Sequence, residues 1–189
     1  MKQLLFMLLL IILLPTTACT VPLSAKAITG KVIDSETGQP IEGAILLVEW
    51  TKTYGFGNTY TKSEKAVEVF SDKSGVVQIP GYNVRFVNEP DVTVYKPGYV
   101  AWNSHSIFLD SKHRVKRTDF EWKDGYVFRL ERFKLEYTYE AHVSFLDKCI
   151  GTRLYEQKVN IKKAMRSEEL ESSKEVDERL RIWREKKQN

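Results

Sequence analysis

Ile28-Thr29-Gly30-Lys31-Val32-Ile33-Asp34-Ser35-Glu36-Thr37-Gly38-Gln39-Pro40-Ile41-Glu42-Gly43-Ala44 reads as a strand, a tight turn and the approach to a second strand. Ile28 to Asp34 is the strand. Ser35 to Pro40 is turn chemistry: Gly38 offers positive φ, Pro40 fixes φ, and the side chains of Asp34 and Ser35 can bond nearby backbone. Beyond the turn, Ala44 to Trp50 is nearly all apolar. Such a short, nearly all-apolar run predicts a central strand buried on both faces.

The same grammar continues downstream. Ala66-Val67-Glu68-Val69-Phe70 alternates as a half-buried strand does, Ser71 to Gly75 turns the chain, and Val76 to Pro80 runs back. Val92 to Tyr95 alternates again and stops at Lys96-Pro97-Gly98-Tyr99, and Tyr126 to Leu130 closes the set. Short strands with regular turn signals predict a mainly β fold, a β-sandwich, over residues 28–132. Two long segments interrupt the pattern, Thr51 to Lys65 and Trp102 to Asp124, and both are predicted as loops.

The pattern Gly30-x-Val32-x-Asp34-x-x-Thr37-Gly38-x-Pro40-Ile41-x-Gly43-Ala44 resembles the opening of carboxypeptidase regulatory-like domains. Later pieces follow in that family's order: Asp72-x-x-Gly75 before a strand, then Val92-x-Val94 leading into Gly98-Tyr99. The resemblance covers roughly residues 28–132 and implies a transthyretin-like (prealbumin-like) sandwich. It also implies an accessory, non-catalytic role, since the family's domains usually serve something else.

After Arg132 the period changes. Leu135, Tyr139, His142, Leu146 and Cys149 fit a helix ending at Gly151, although Tyr137, Tyr139 and Val143 also allow a strand. Ser167 to Lys187 predicts a helix capped by Ser167. Acids cluster at its start and bases at its end, and Glu175–Arg179 and Asp177–Arg181 are spaced to pair. Its apolar stripe, Val176, Leu180 and Trp183, is thin. Residues 133–189 therefore form a mainly helical extension.

At the other end, Lys2 precedes an almost unbroken apolar run from Leu4 to Leu14. That length is too short for the ~20 residues of a spanning helix and suits a signal peptide. Pro15 breaks the run, and Thr16, Thr17 and Ala18 lead to Cys19. This junction resembles the lipobox of bacterial lipoproteins. The resemblance implies a signal peptide over residues 1–18, acylation of Cys19, and, with Thr20 following, delivery to the outer membrane facing the periplasm. Residues 19–27 would be the anchored tether. The eight residues Thr20 to Ala27 span no more than about 29 Å.

Removing the first 18 of 189 residues leaves 171, enough for one domain with an extension. The formal charge of +4 is mild and scattered, which argues against nucleic acid as a partner. With Cys19 acylated, Cys149 is the remaining thiol, so no internal disulfide is available to an oxidising compartment. No nucleophile elbow or phosphate-binding glycine loop occurs. His105 and His113 lack further ligands at zinc spacing, and Asp110, Asp119 and Asp124 do not form a calcium loop. His142 sits on an apolar face and reads as a core histidine. The expectation is no enzyme, no metal and no cofactor.

The functional lead is aromatic. Tyr54, Phe56 and Tyr60 in one predicted loop, and Trp102 and Trp122 in the other, occur among polar residues and glycines. Loops carry binding residues disproportionately, and aromatics anchor interfaces. The basic stretch Lys158, Lys162, Lys163 and Arg166 reads as a solvated face. The sequence thus points to an envelope lipoprotein acting as a protein-binding or scaffold module, held on the membrane by lipid and engaging an envelope protein. The alternative is a polysaccharide-binding lipoprotein using residues 51–65 and 102–124.

Overall fold

The computed structural model describes residues 26–110 and 115–188. The expected signal peptide over residues 1–18, Cys19, most of the expected tether over residues 19–27 and His113 lie outside the described residues.

The quoted stretch forms the centre of a three-stranded sheet. Its strand β1 (Ile28–Asp34) pairs antiparallel with β4 (Val76–Ile79) and parallel with β9 (Tyr126–Leu130). A second, antiparallel sheet has the order β3 (Tyr60–Phe70), β2 (Ile45–Tyr54), β5 (Asp91–Tyr95), β6 (Trp102–Asn103). A small pair, β7 (Ser106–Ile107) and β8 (Val115–Lys116), follows. The chain is mainly β with a helical C-terminal part.

The pleat explains two cores. Alternate β2 residues Leu46, Val48 and Trp50 meet Val32, Ile79, Phe128 and Leu130 of the first sheet. The intervening Ile45 and Leu47 face the other way, into a second core with Tyr95 and Ala101. Strand β2 is therefore buried on both faces, as its nearly all-apolar run predicts.

The second core is completed by two helices, α1 (Tyr139–Ile150) and α2 (Val159–Gln188). Helix is the outcome of the helix-or-strand ambiguity after Arg132. Thr138 caps α1 by accepting from the Ala141 amide, and Gly151 ends it at φ 63°. Its stripe of Phe145, Leu146 and Ile150 packs on the sheet beside Ile161 and Met165 of α2.

Several expectations are corrected. Helix α2 starts at Val159, so Ser167 is an interior residue and no cap. The amides at its true start, Asn160 and Ile161, donate instead to the Glu68 carboxylate of β3, at 2.9 and 2.8 Å. The start of α1 is closed similarly: the Tyr139 and Glu140 amides donate to Glu175 of α2. Glu175 thus serves α1 rather than Arg179, which pairs with Glu140, and Arg181 pairs with Glu178 rather than Asp177. Of the expected solvated basic face, Lys163 and Arg166 are exposed and Lys162 is half-buried, but Lys158 is fully buried. Its ammonium donates to Glu49 Oε2 at 2.5 Å and to the Ile150 carbonyl, tying helix ends to the sheet.

The predicted loop 51–65 is mostly strand. β2 and β3 pair continuously to Tyr54↔Tyr60, with a bulge after Trp50, leaving only residues 55–59 as a loop. The register of ten paired positions extends the apolar run into a polar hairpin that periodicity alone does not mark.

Candidate functional site

One end of the molecule gathers the start of the described chain, the hairpin base and a cleft. The Trp122 indole N–H donates to the Lys26 carbonyl at 2.9 Å, and the Thr29 amide donates to Asp124 Oδ1 at 2.6 Å. Residues 122–124 therefore clip onto the beginning of β1. Trp122 also stands edge-on to Trp50 of β2, with centroids 6.4 Å apart. From the opposite side, Asn88 closes on the hairpin. Its amide donates to the Thr51 carbonyl at 2.8 Å, and its side-chain nitrogen reaches Thr51 Oγ1 at 2.9 Å.

Between these two supports lies a cleft of about 510 Å³. Ile28, Val87, Pro90 and Trp122 give it an apolar floor, and Asn88 and Asp124 are among its polar groups. An apolar cleft with a few polar groups is the usual form of a small-ligand site.

The hairpin rises from the same end. Tyr54 and Tyr60 stack at its last paired position, centroids 5.6 Å apart and planes 20° apart. Lys52 lies 5.3 Å from the Tyr54 ring. Glu64 accepts from the Tyr54 hydroxyl at 3.0 Å, and this bond holds the phenol above its ordinary range. Gly55 permits the loop: at φ 100°, an added Cβ would stand 2.2 Å from the Asn58 carbonyl oxygen. Phe56 at the tip is 104 % exposed and Tyr60 63 %.

The five aromatic candidates therefore do not form one surface. Tyr54, Phe56 and Tyr60 share the hairpin tip, and Trp122 lines the cleft. Trp102 is a correction: it lies in β6, buried in the first core against Phe120, Tyr126 and Phe128. Its outer face is covered by the Arg117 guanidinium at 4.6 Å, leaving no ring face for a ligand.

The remaining polar candidates hold structure. Asp110 accepts from the amide and hydroxyl of Thr138, Asp119 pairs with Arg117, and Asp124 holds Thr29. Among the described residues, no three His, Cys, Asp or Glu side chains converge to hold a metal ion. Cys149 is half-buried against the second core. His142 is fully buried beside Glu168, in an arrangement that superficially suits proton transfer. Both ring nitrogens are engaged, however. Nε2 accepts from the Ala101 amide at 2.9 Å, which puts the proton on Nδ1, and Nδ1 donates to Glu168 at 2.6 Å. No lone pair faces a substrate. Burial, and then the Glu168 carboxylate, push the neighbouring Tyr95 phenol up.

A second exposed feature is the far end of α2. Leu180, Ile182 and Trp183 are 43, 40 and 58 % exposed. The thin stripe predicts a helix docked by one edge or a partly frayed tail; Val176 is half-buried, and the stripe's exposed end begins at Leu180. The cleft wall around Asn88 carries no motif and has no sequence signal.

No family model matches the chain, and no curated protein is similar to it. Among the described residues, no helix is long and apolar enough to cross a membrane.

Proposed function

We propose that the chain is a non-catalytic envelope lipoprotein, anchored through Cys19, whose folded part is a transthyretin-like sandwich serving as a protein-binding or scaffold module. The resemblance behind the fold is supported by what its residues do together. The buried Asp34 carboxylate accepts from the Glu36 and Thr37 amides, from Arg132 Nε at 2.7 Å and from the Tyr99 hydroxyl at 3.3 Å. The Gly75 carbonyl accepts from the Val32 amide. The three separated segments of the pattern thus meet at one turn. Two sheets enclosing a single apolar cluster agree with a sandwich.

The observation that carries the binding role is the end of α2. After Arg179, whose guanidinium still engages Glu140, residues 180–187 are all exposed. This stretch extends for about 12 Å of helix, at about 1.5 Å per residue. Leu180 and Trp183 share one side of it, the spacing by which a helix presents anchors to a partner groove. An exposed Trp on a rigid element is a favoured hot spot.

The test is co-purification from detergent-solubilised envelopes with the intact protein and with Leu180→Glu/Trp183→Glu. A specific partner retained by the first and lost by the second, at unchanged circular dichroism, is expected. Recovery of no specific partner, or of one indifferent to both substitutions, refutes the proposal. A second reading, polysaccharide binding, is favoured by the cleft that Trp122 lines together with Asn88 and Asp124. An array of envelope and dietary glycans tests it, and binding that survives Trp122→Ala sinks it.

A further inference from the structure

We infer that the tip of the β2–β3 hairpin is a membrane-contact device that seats Phe56, Tyr54 and Tyr60 in the lipid headgroup region beside the anchor. The inference rests on the lipoprotein reading of Cys19.

Three observations lead to it. The first is placement. The described chain starts at Lys26, in the cleft that Asn88 walls, and Asn88 bonds Thr51 and contacts Thr53 of the hairpin at 3.2 Å. The hairpin therefore leaves the body at the end where the anchored segment joins it. From Thr53 the tip at Phe56 lies no more than about 10 Å further along the chain. The seven steps from Cys19 to Lys26 span no more than about 25 Å. An acylated Cys19 keeps the tip within reach of the surface that holds the acyl chains.

The second is exposure. Phe56 touches nothing that covers it, on a loop whose backbone is shaped by Gly55. A fully exposed Phe at the apex of a paired hairpin contributes nothing to either core. Tyr rings with a polar end and an apolar body suit the water–lipid boundary, where aromatic residues concentrate. Only the tip is apolar, so its insertion would be interfacial rather than spanning.

The third is charge. Lys52 and Lys62 pair across the hairpin near its tip, Lys65 holds its ammonium over Trp50 and Tyr82 at the base, and the single acid of residues 51–65, Glu64, is engaged by the Tyr54 hydroxyl. Arg153 adds a cation by donating to the Thr61 carbonyl. The Lys52 ammonium stands 5.3 Å from the Tyr54 ring centroid, so a cation sits at the aromatic tip itself, where it can meet anionic headgroups as the ring enters the interface.

The probe is Phe56→Trp in the full acylated protein, reconstituted in phosphatidylethanolamine–phosphatidylglycerol vesicles with brominated acyl chains. Fluorescence is read as the difference from the parent protein, which subtracts the native tryptophans. The introduced indole should shift to the blue and be quenched by the bromines. Phe56→Trp is on an exposed tip, so unchanged circular dichroism is the folding control. Labelled palmitate incorporated through Cys19, together with an unquenched, water-like indole, overturns the inference and leaves the anchor standing. No label in the parent protein, and none of its indole signal altered by vesicles, overturns both. An indole signal moved by soluble envelope oligosaccharides but not by vesicles overturns the lipid assignment in favour of a glycan.

Discussion

Replacing Lys158 by Met removes a fully buried ammonium and strands two acceptors. The Glu49 carboxylate, 16 % exposed, loses its cation, and the Ile150 carbonyl at the end of α1 loses its donor. Breaking a buried ion pair from one side costs about 3–5 kcal/mol. The partial exposure of Glu49 puts this site near the lower figure, because water reaches one of the two charges. An orphaned acceptor at a helix end adds at the scale of about 1 kcal/mol. We expect about 3–4 kcal/mol from Lys158→Met, with a melting temperature lower by roughly 6–16 °C for a chain of this size. Urea unfolding of the protein, followed by circular dichroism and by tryptophan fluorescence, measures the loss. The paired change Glu49→Leu/Lys158→Met should recover much of it, since an apolar pair of similar volume replaces two buried charges at little net cost. Ser63 limits the recovery, because its hydroxyl donates to Glu49 in the parent. A Lys158→Met protein within about 0.5 kcal/mol of the parent would refute the reasoning, since that is the range of an ordinary surface change. So would additive effects of the two substitutions, which would mean that the pair is not coupled.

Other outcomes follow from single contacts. Arg132 and the Thr37 and Glu36 amides hold the Asp34 carboxyl well below the usual carboxylate range, so its stabilisation is present above the unfolded pKa of about 4 and is lost as pH falls from there through the folded value. The stability gap between the parent and Asp34→Asn should therefore be constant near neutral pH and shrink below about pH 4 in acid titrations of unfolding. Trp102→Ala should cost about 3–5 kcal/mol in urea unfolding, as a buried aromatic with three ring neighbours, whereas Trp122→Ala should cost clearly less. Glu68→Ala removes the acceptor for two amides at the start of α2 and should cost about 1–2 kcal/mol, with faster hydrogen exchange at Asn160 and Ile161.

Local chemistry made some elements readable from the sequence. The run Ala44 to Trp50 announced a doubly buried strand because all of it but Glu49 is apolar, and both of its faces do enter cores. Gly151 marked a helix end because its left-handed backbone is a local requirement. What failed was local reasoning about non-local partners. Ser167 looked like a cap, but α2 begins eight residues earlier because Glu68, distant in sequence, supplies its acceptors. Lys158 looked solvated because nothing nearby in sequence pairs with it, and its partner Glu49 is 109 residues away. Trp102 was placed in a binding loop by its polar neighbours, whereas its ring packs on Phe128 across the two sheets. At the candidate site, the aromatic tip was legible from composition. The cleft was not, since Lys26, Asn88 and Trp122 meet only through the fold.

Whether this fold is tethered to the envelope by lipid on Cys19 is decided by labelling. Cells expressing the chain are grown with radiolabelled palmitate, and the protein is isolated alongside a Cys19→Ser variant. Label is expected in the parent and none in the variant, with the variant shifted out of the membrane fraction. A parent protein that takes up no label, or a Cys19→Ser protein that still fractionates with membranes, would contradict the lipid tether.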